Sequence, residues 1–146
     1  MSNKRAVITG IGIISPIGIG KDAYWQALQE GQSGINPITL FNTSQYKVHV
    51  GGEIADFDAK AILGKKGLLD LDRATKLILG VAKLALLDAK LEIYEDNTRQ
   101  TGVVVGTTCG SLESISKLNQ QSYREGPRYV NPSVFPNTVG NSPASQ

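Results

Sequence analysis

The chain has 146 residues, 40% hydrophobic and 19% charged, which is enough for one domain with a core and too few for two. A net charge of +2, with no run of like charges and no basic residues interleaved with aromatics, argues against nucleic-acid binding. No apolar stretch is long enough to span a membrane, residues 1–5 lack a signal-peptide core, and the single Cys109 excludes an internal disulfide or a multi-cysteine metal site. The expected setting is therefore a reducing cytoplasm, and the low charge fraction fits a surface that is largely covered.

Ala6-Val7-Ile8-Thr9 is apolar and β-branched, the pattern of a buried strand. The Gly-rich loop from Gly10 to Gly20 follows, and Pro16 keeps it from entering a helix at once. As a dinucleotide cradle it fails: Ser15 stands where the third glycine belongs, and Gln32 where the ribose-binding acid belongs. Its glycines fit a tight backbone crossing between layers instead. Asp22 is placed to cap a helix over residues 23–30, with Trp25 and Leu28 on its inner face and Gly31 as the stop.

Turn formers dominate residues 32–44, and residues 46–50 alternate as a half-exposed strand that continues towards Ile54 and makes the lone His49 a solvated residue rather than a metal ligand. Residues 58–63 predict a short helix closed by Gly64 and Gly67. Asp72 then caps a helix over residues 73–90, whose apolar residues Leu77, Ile78, Val81, Leu84, Ala85 and Leu87 cover more than one stripe. Such a helix is expected to be buried on most sides. Residues 101–106 are a continuous apolar strand of the doubly covered kind, running through Thr107-Thr108-Cys109-Gly110 into a helix from Ser111 to Gly126. Residues 127–146, with Pro132, Pro136 and Pro143, close no element. The alternation of strand and helix predicts an α/β layered domain.

Several segments, in order, resemble the β-ketoacyl-[acyl-carrier-protein] synthases of the elongation type. They are residues 7–18, Trp25-Gln26-Ala27-Leu28 with Gly31-Gln32-Ser33-Gly34-Ile35, Asp72-Arg73 leading into Ala85-Leu86-Leu87-Asp88-Ala89, and Gly102-Val103-Val104-Val105-Gly106-Thr107. Gly126-Pro127-Arg128, Asn131-Pro132 and Pro136-Asn137-Thr138 complete a match over nearly the whole chain. The resemblance implies the N-terminal part of a thiolase-like layered αβαβα fold, as a homodimer or as a heterodimer with another ketosynthase-type subunit. It implies elongation of an acyl chain by decarboxylative Claisen condensation on acyl carrier protein, with no cofactor. The nucleophilic thiolate of that chemistry needs a helix N-terminus to lower its pKa, and the two histidines of the family stabilise the developing negative charge. By the resemblance all three lie beyond residue 146, in the remainder of the same ketosynthase. Residues 1–146 are then an N-terminal portion ending before the catalytic cysteine junction, inactive alone, with no catalytic residue among them.

The resemblance assigns Cys109, Val134 and Phe135 to the wall of the acyl-chain pocket, near the partner subunit. Cys109, at a strand-to-helix junction, looks like a nucleophile elbow, but it would need a base, and ordinary burial of a free cysteine is the plainer alternative. For Val134 and Phe135 the alternative is packing in a Pro-bounded loop. Lys65, Lys66, Arg124 and Arg128 match the basic surface that docks the acidic carrier protein, although Lys65 and Lys66 equally suit a solvated helix end. Many members place further basic residues after Lys66, where this chain has Leu69 and Asp70. Asn141-Ser142-Pro143-Ala144-Ser145 departs from the commoner family text. The first departure leaves open a specialised carrier protein, and both leave open a non-catalytic, chain-length-factor-like subunit paired with an active ketosynthase. A self-sufficient small hydrolase using Cys109 is the third reading.

Overall fold

In a computed structural model describing residues 5–145, the chain divides into two units. The readings for residues 1–5 and for Gln146 fall mostly or wholly outside the described residues. The first unit comprises the residues up to Asp58 together with Gly80–Glu92, and the second comprises Ala59–Leu79 and the residues from Ile93 onward.

The first unit opens on a Gly-rich segment that folds back on itself. Strand β1 (Ile14–Ser15) pairs antiparallel with β2 (Gly18–Ile19) around Pro16-Ile17, and the Ser15 hydroxyl donates to the Gly18 carbonyl at 3.1 Å. Helix α1 (Lys21–Gln29) follows. Its N-cap is Gly20 at φ 89, a left-handed position that favours glycine, and Asp22 lies inside the first turn rather than at the cap. The inner-face expectation is also corrected: Trp25 is 61% exposed and Leu28 46%, while Ala27 is the buried residue.

Strand β3 (Ile35–Pro37) lies in the stretch expected to be turns and pairs antiparallel with β4 (Val50–Gly52), three residues each. The strand expected from Tyr46 towards Ile54 is therefore present but short, starting at Val50. The Glu53 carboxylate closes this hairpin by accepting the Thr39 and Leu40 amides at 2.9 and 2.7 Å and the Thr39 hydroxyl at 2.7 Å. Helix α2 (Ala59–Leu63), in the second unit, bears out the short helix before Gly64.

Helix α3 (Arg73–Ala89) is the longest element, and its C-terminal half belongs to the first unit. The Gly-rich segment lies directly against that half. A Cβ on Gly12 would stand 2.0 Å from the Val81 carbonyl oxygen, and one on Gly10 would stand 2.4 Å from that of Ala85. The glycines thus serve close backbone approach, as expected. Asp88 ties the same region together, accepting the Ile11 amide at 3.0 Å and pairing with Lys21 at 2.9 Å.

In the second unit α4 (Glu95–Thr98) is a single turn, and α5 (Leu112–Glu125) spans the helix expected between Ser111 and Gly126. Residues 127–145 were expected to form no element, yet they form two 3₁₀ segments, Pro127–Tyr129 and Pro132–Thr138, and a short α6 (Ser142–Ser145). Proline at the first helical position causes little loss, because its missing N–H has no partner there anyway. The two 3₁₀ segments pack against α5.

Neither long apolar run becomes a strand. Residues 6–9 and 101–106 have no ladder partner, and Val7, Ile8, Val103 and Val104 are 79%, 84%, 69% and 99% exposed. A strand exists only by pairing, so an apolar β-branched run without a neighbour forms no ladder. Helix α3 is likewise half-buried rather than enclosed, with Leu87 61% exposed.

Candidate functional site

The residues expected to act on substrate or partner all fall in the second unit. Residues 107–111 make the turn into α5. The Gly110 amide donates to the Thr107 hydroxyl at 2.9 Å, and Gly110 itself is left-handed at φ 51. Cys109 projects from this turn and is exposed, and among the described residues no hydrogen bond or ion pair reaches its thiol. His49 belongs to the first unit, where its Nδ1 faces the Thr43 hydroxyl at 3.3 Å. Nucleophilic use of Cys109 needs a base to activate it, and no contact supplies one.

Val134 and Phe135 lie in the second 3₁₀ segment, the first half-buried and the second 62% exposed. That segment is shaped by Asn131, whose side-chain oxygen accepts the Ser133 amide at 3.0 Å. The basic residues are all exposed: Lys65 and Lys66 in the turn after α2, Arg124 in the last turn of α5, and Arg128 in the first 3₁₀ segment.

Asp72 sits among these pieces. Its Oδ1 accepts the Thr75 amide at 2.8 Å, which caps α3, and its Oδ2 accepts the Ser114 hydroxyl at 3.1 Å from the first turn of α5. One carboxylate thus serves two helix N-termini, where the backbone dipoles favour negative charge. The hydroxyls of Thr75 and Ser111 are buried beside it without completing hydrogen bonds. Burial acts to raise the Asp72 pKa, but Ser111, the Thr75 amide and hydroxyl, and Ser114 together outweigh it and hold the carboxyl below the ordinary aspartate value. Asn137, 7% exposed, donates its side-chain N–H to the Asp70 carbonyl two residues before Asp72.

A cleft of about 560 Å³ in the first unit is lined by Pro16, Ile17, Asn36, Glu53 and Asp56 among others. None of the expected site residues lines it, and its Glu53 is engaged by backbone amides. The described residues hold no cluster of potential metal ligands and no helix long and apolar enough to cross a membrane.

A family model described as the N-terminal domain of β-ketoacyl synthase matches residues 3–145. The chain belongs to the β-ketoacyl synthase family. Its curated relatives include 3-oxoacyl-[acyl-carrier-protein] synthase 2 of Synechocystis, 38% identical over 97% of the chain, and the Coxiella burnetii protein of that name, 35% identical over the same share. Both alignments cover 34% of the relative, so the chain spans about a third of the ketosynthases it matches. Among solved structures, the ishigamide ketosynthase/chain length factor superposes with a TM-score of 0.78 at 31% identity, over 94% of this chain and 34% of that one. A ketosynthase solved in the AntDE:AntF complex, a type II polyketide system with its acyl-carrier protein, superposes at 0.71 and 17% identity, over 95% of this chain and 33% of that one. The fold is therefore the α/β, thiolase-like fold of the ketosynthases.

Sequence reasoning named the pocket and docking candidates but missed Ser114 and Asn137. Each meets a partner 42 or 67 residues away, a separation that no local pattern encodes.

Proposed function

We propose that the whole protein elongates acyl chains. An acyl group passes from carrier protein to a cysteine thiolate, malonyl-carrier protein loses carbon dioxide, and the resulting carbanion attacks the acyl thioester and expels the thiolate. The match of residues 3–145 to the synthase family carries this reading. In it, the present residues contribute scaffold, pocket wall and subunit contact, while the reactive thiol and both histidines come from the remaining two-thirds of a ketosynthase. Cys109, Val134 and Phe135 line the acyl pocket, and Lys65, Lys66, Arg124 and Arg128 draw the acidic carrier protein to the entrance by long-range attraction. The working form is a dimer in the cytoplasm.

A second reading is supported by the departure at Asn141 to Ser145 and by the likeness to a ketosynthase/chain length factor structure. In that reading the protein is the non-catalytic partner of an active ketosynthase. The residue at the next strand-to-helix junction separates the two readings: a cysteine makes the protein an enzyme, any other residue makes it a partner.

Condensation of acyl- and malonyl-carrier protein by the full-length protein is the direct test. Cys109→Ala is expected to retain turnover and to change product chain length. Loss of all turnover on Cys109→Ala, in a protein without a later cysteine, sinks the reading in favour of a Cys109 enzyme.

A further inference from the structure

Resting on that docking reading, we infer that Asn137 and Asp72 are positioning residues that hold the Lys65 and Lys66 segment in a preformed docking pose. Residues 64–72 have no regular helix or strand, and two of them, Gly64 at φ 89 and Gly67 at φ 74, are left-handed glycines. Leu69 in the middle of the segment is 97% exposed. A turn of this composition opens easily unless it is tied down.

The ties come at three points. Leu68 is buried, the Asp70 carbonyl receives the Asn137 side-chain donor, and Asp72 grips both the Thr75 amide and the Ser114 hydroxyl. Asn137 is itself buried, and it sits in the 3₁₀ segment that carries Val134 and Phe135. Its amide is the only part of that side chain able to donate to a carbonyl. Asp72 attaches the far end of the basic turn to α5, whose last turn carries Arg124. Two cations on a long, loose turn have to be ordered when a partner docks, and that ordering lowers affinity. Buried anchoring removes the cost beforehand, so the effect of the lysines depends on the anchors.

The test measures binding of acyl carrier protein to the full-length protein by fluorescence titration. Asn137→Ala is expected to weaken binding about 5-fold, the range for losing one buried hydrogen bond. Asn137→Asp, which keeps the shape and loses the donor, is expected to match it, and Asn137→Gln to recover part of the affinity. The decisive comparison is Asn137→Ala combined with Lys66→Ala. An anchor acting through the lysines gives a loss smaller than the product of the two single losses, and faster backbone hydrogen exchange in residues 65–71. Independent, multiplying losses or unchanged exchange overturn the inference and leave the docking surface standing. If Lys65→Ala and Lys66→Ala leave binding untouched, the docking reading falls and takes the inference with it. Should Asn137→Ala not fold, the same cycle is run with Asp72→Asn.

Discussion

Asp72 shows how one side chain can be half readable. Its position before a long apolar helix marks it as an N-cap, and the Thr75 amide at 2.8 Å bears that out. Its bond to Ser114 reaches the second helix and was not readable. The carboxyl is held below its ordinary value, which fixes the sign of its pH effect. A carboxyl that loses its proton more readily in the folded chain stabilises that fold at all pH values above its ordinary range. The contribution fades as pH falls through and below the ordinary aspartate value of 3.8. Asp72→Ala in the full-length protein is expected to lower stability by about 1 kcal/mol at neutral pH, the usual loss for an N-cap. Asp72→Asn keeps an acceptor, so it is expected to lose less at pH 7 and to flatten the acid limb of the stability curve. Chemical denaturation at pH 7 and pH 3 checks both, and an unchanged acid limb in the Asn variant refutes the assignment. The pair of Lys21 and Asp88 also shifts both groups toward their charged forms, Lys21 upward and Asp88 downward, through their mutual hydrogen bond and the Ile11 amide. Lys21 is half exposed and Asp88 keeps a quarter of its side-chain surface in solvent, so screening limits what the pair adds to stability.

At the scale of elements, the strongest physical constraint is the contact of Gly10 and Gly12 with α3. Gly12→Ala would put a methyl 2.0 Å from the Val81 carbonyl oxygen and 2.7 Å from the Ala85 nitrogen, both rigid helix backbone. Neither neighbour can rotate away, so the segment must lift from the helix. The expected loss is about 3 kcal/mol, at the upper end of overpacking. The check is the melting temperature of Gly12→Ala in the full-length protein against its parent, and an unchanged value would remove the close crossing. The helices were legible because helix hydrogen bonds are local: Asp72, Gly64 and Gly126 mark boundaries that α2, α3 and α5 obey within a residue or so. Strands were not, because the apolar runs at residues 6–9 and 101–106 carry the right composition but need partners that composition cannot supply. Strand β3 was hidden for the opposite reason, since Asn36 and Pro37 look like turn residues, whereas β4 falls inside the stretch read as strand from Tyr46 towards Ile54. Of the site, the family pattern supplied the candidate residues. The anchoring of the basic turn by Asn137 was not.

For the molecule as a whole, burial decides what the chain needs in order to fold. Among the described residues only Ala27, Leu68 and Pro143 are buried apolar side chains, while Val104, Leu69 and Ile8 are 99%, 97% and 84% exposed. A compact monomer of 15.6 kDa exposes about 7,200 Å², and two separate bodies of half that mass about 8,700 Å². This chain exposes 11663 Å². The excess, about 2,900 Å² or more, exceeds one partner's share of a common obligate dimer interface, roughly 1,000–2,500 Å². On the proposed reading, the rest of a ketosynthase covers this excess and supplies strands for residues 6–9 and 101–106 to pair with. The isolated 146-residue polypeptide is accordingly expected to melt without a cooperative transition and to bind a hydrophobic dye. The full-length protein is expected to unfold in a single sharp step and to bind little dye. Calorimetry and dye fluorescence on both check this, and a sharp, reversible transition in a monomeric fragment would mean that these residues hold a core of their own.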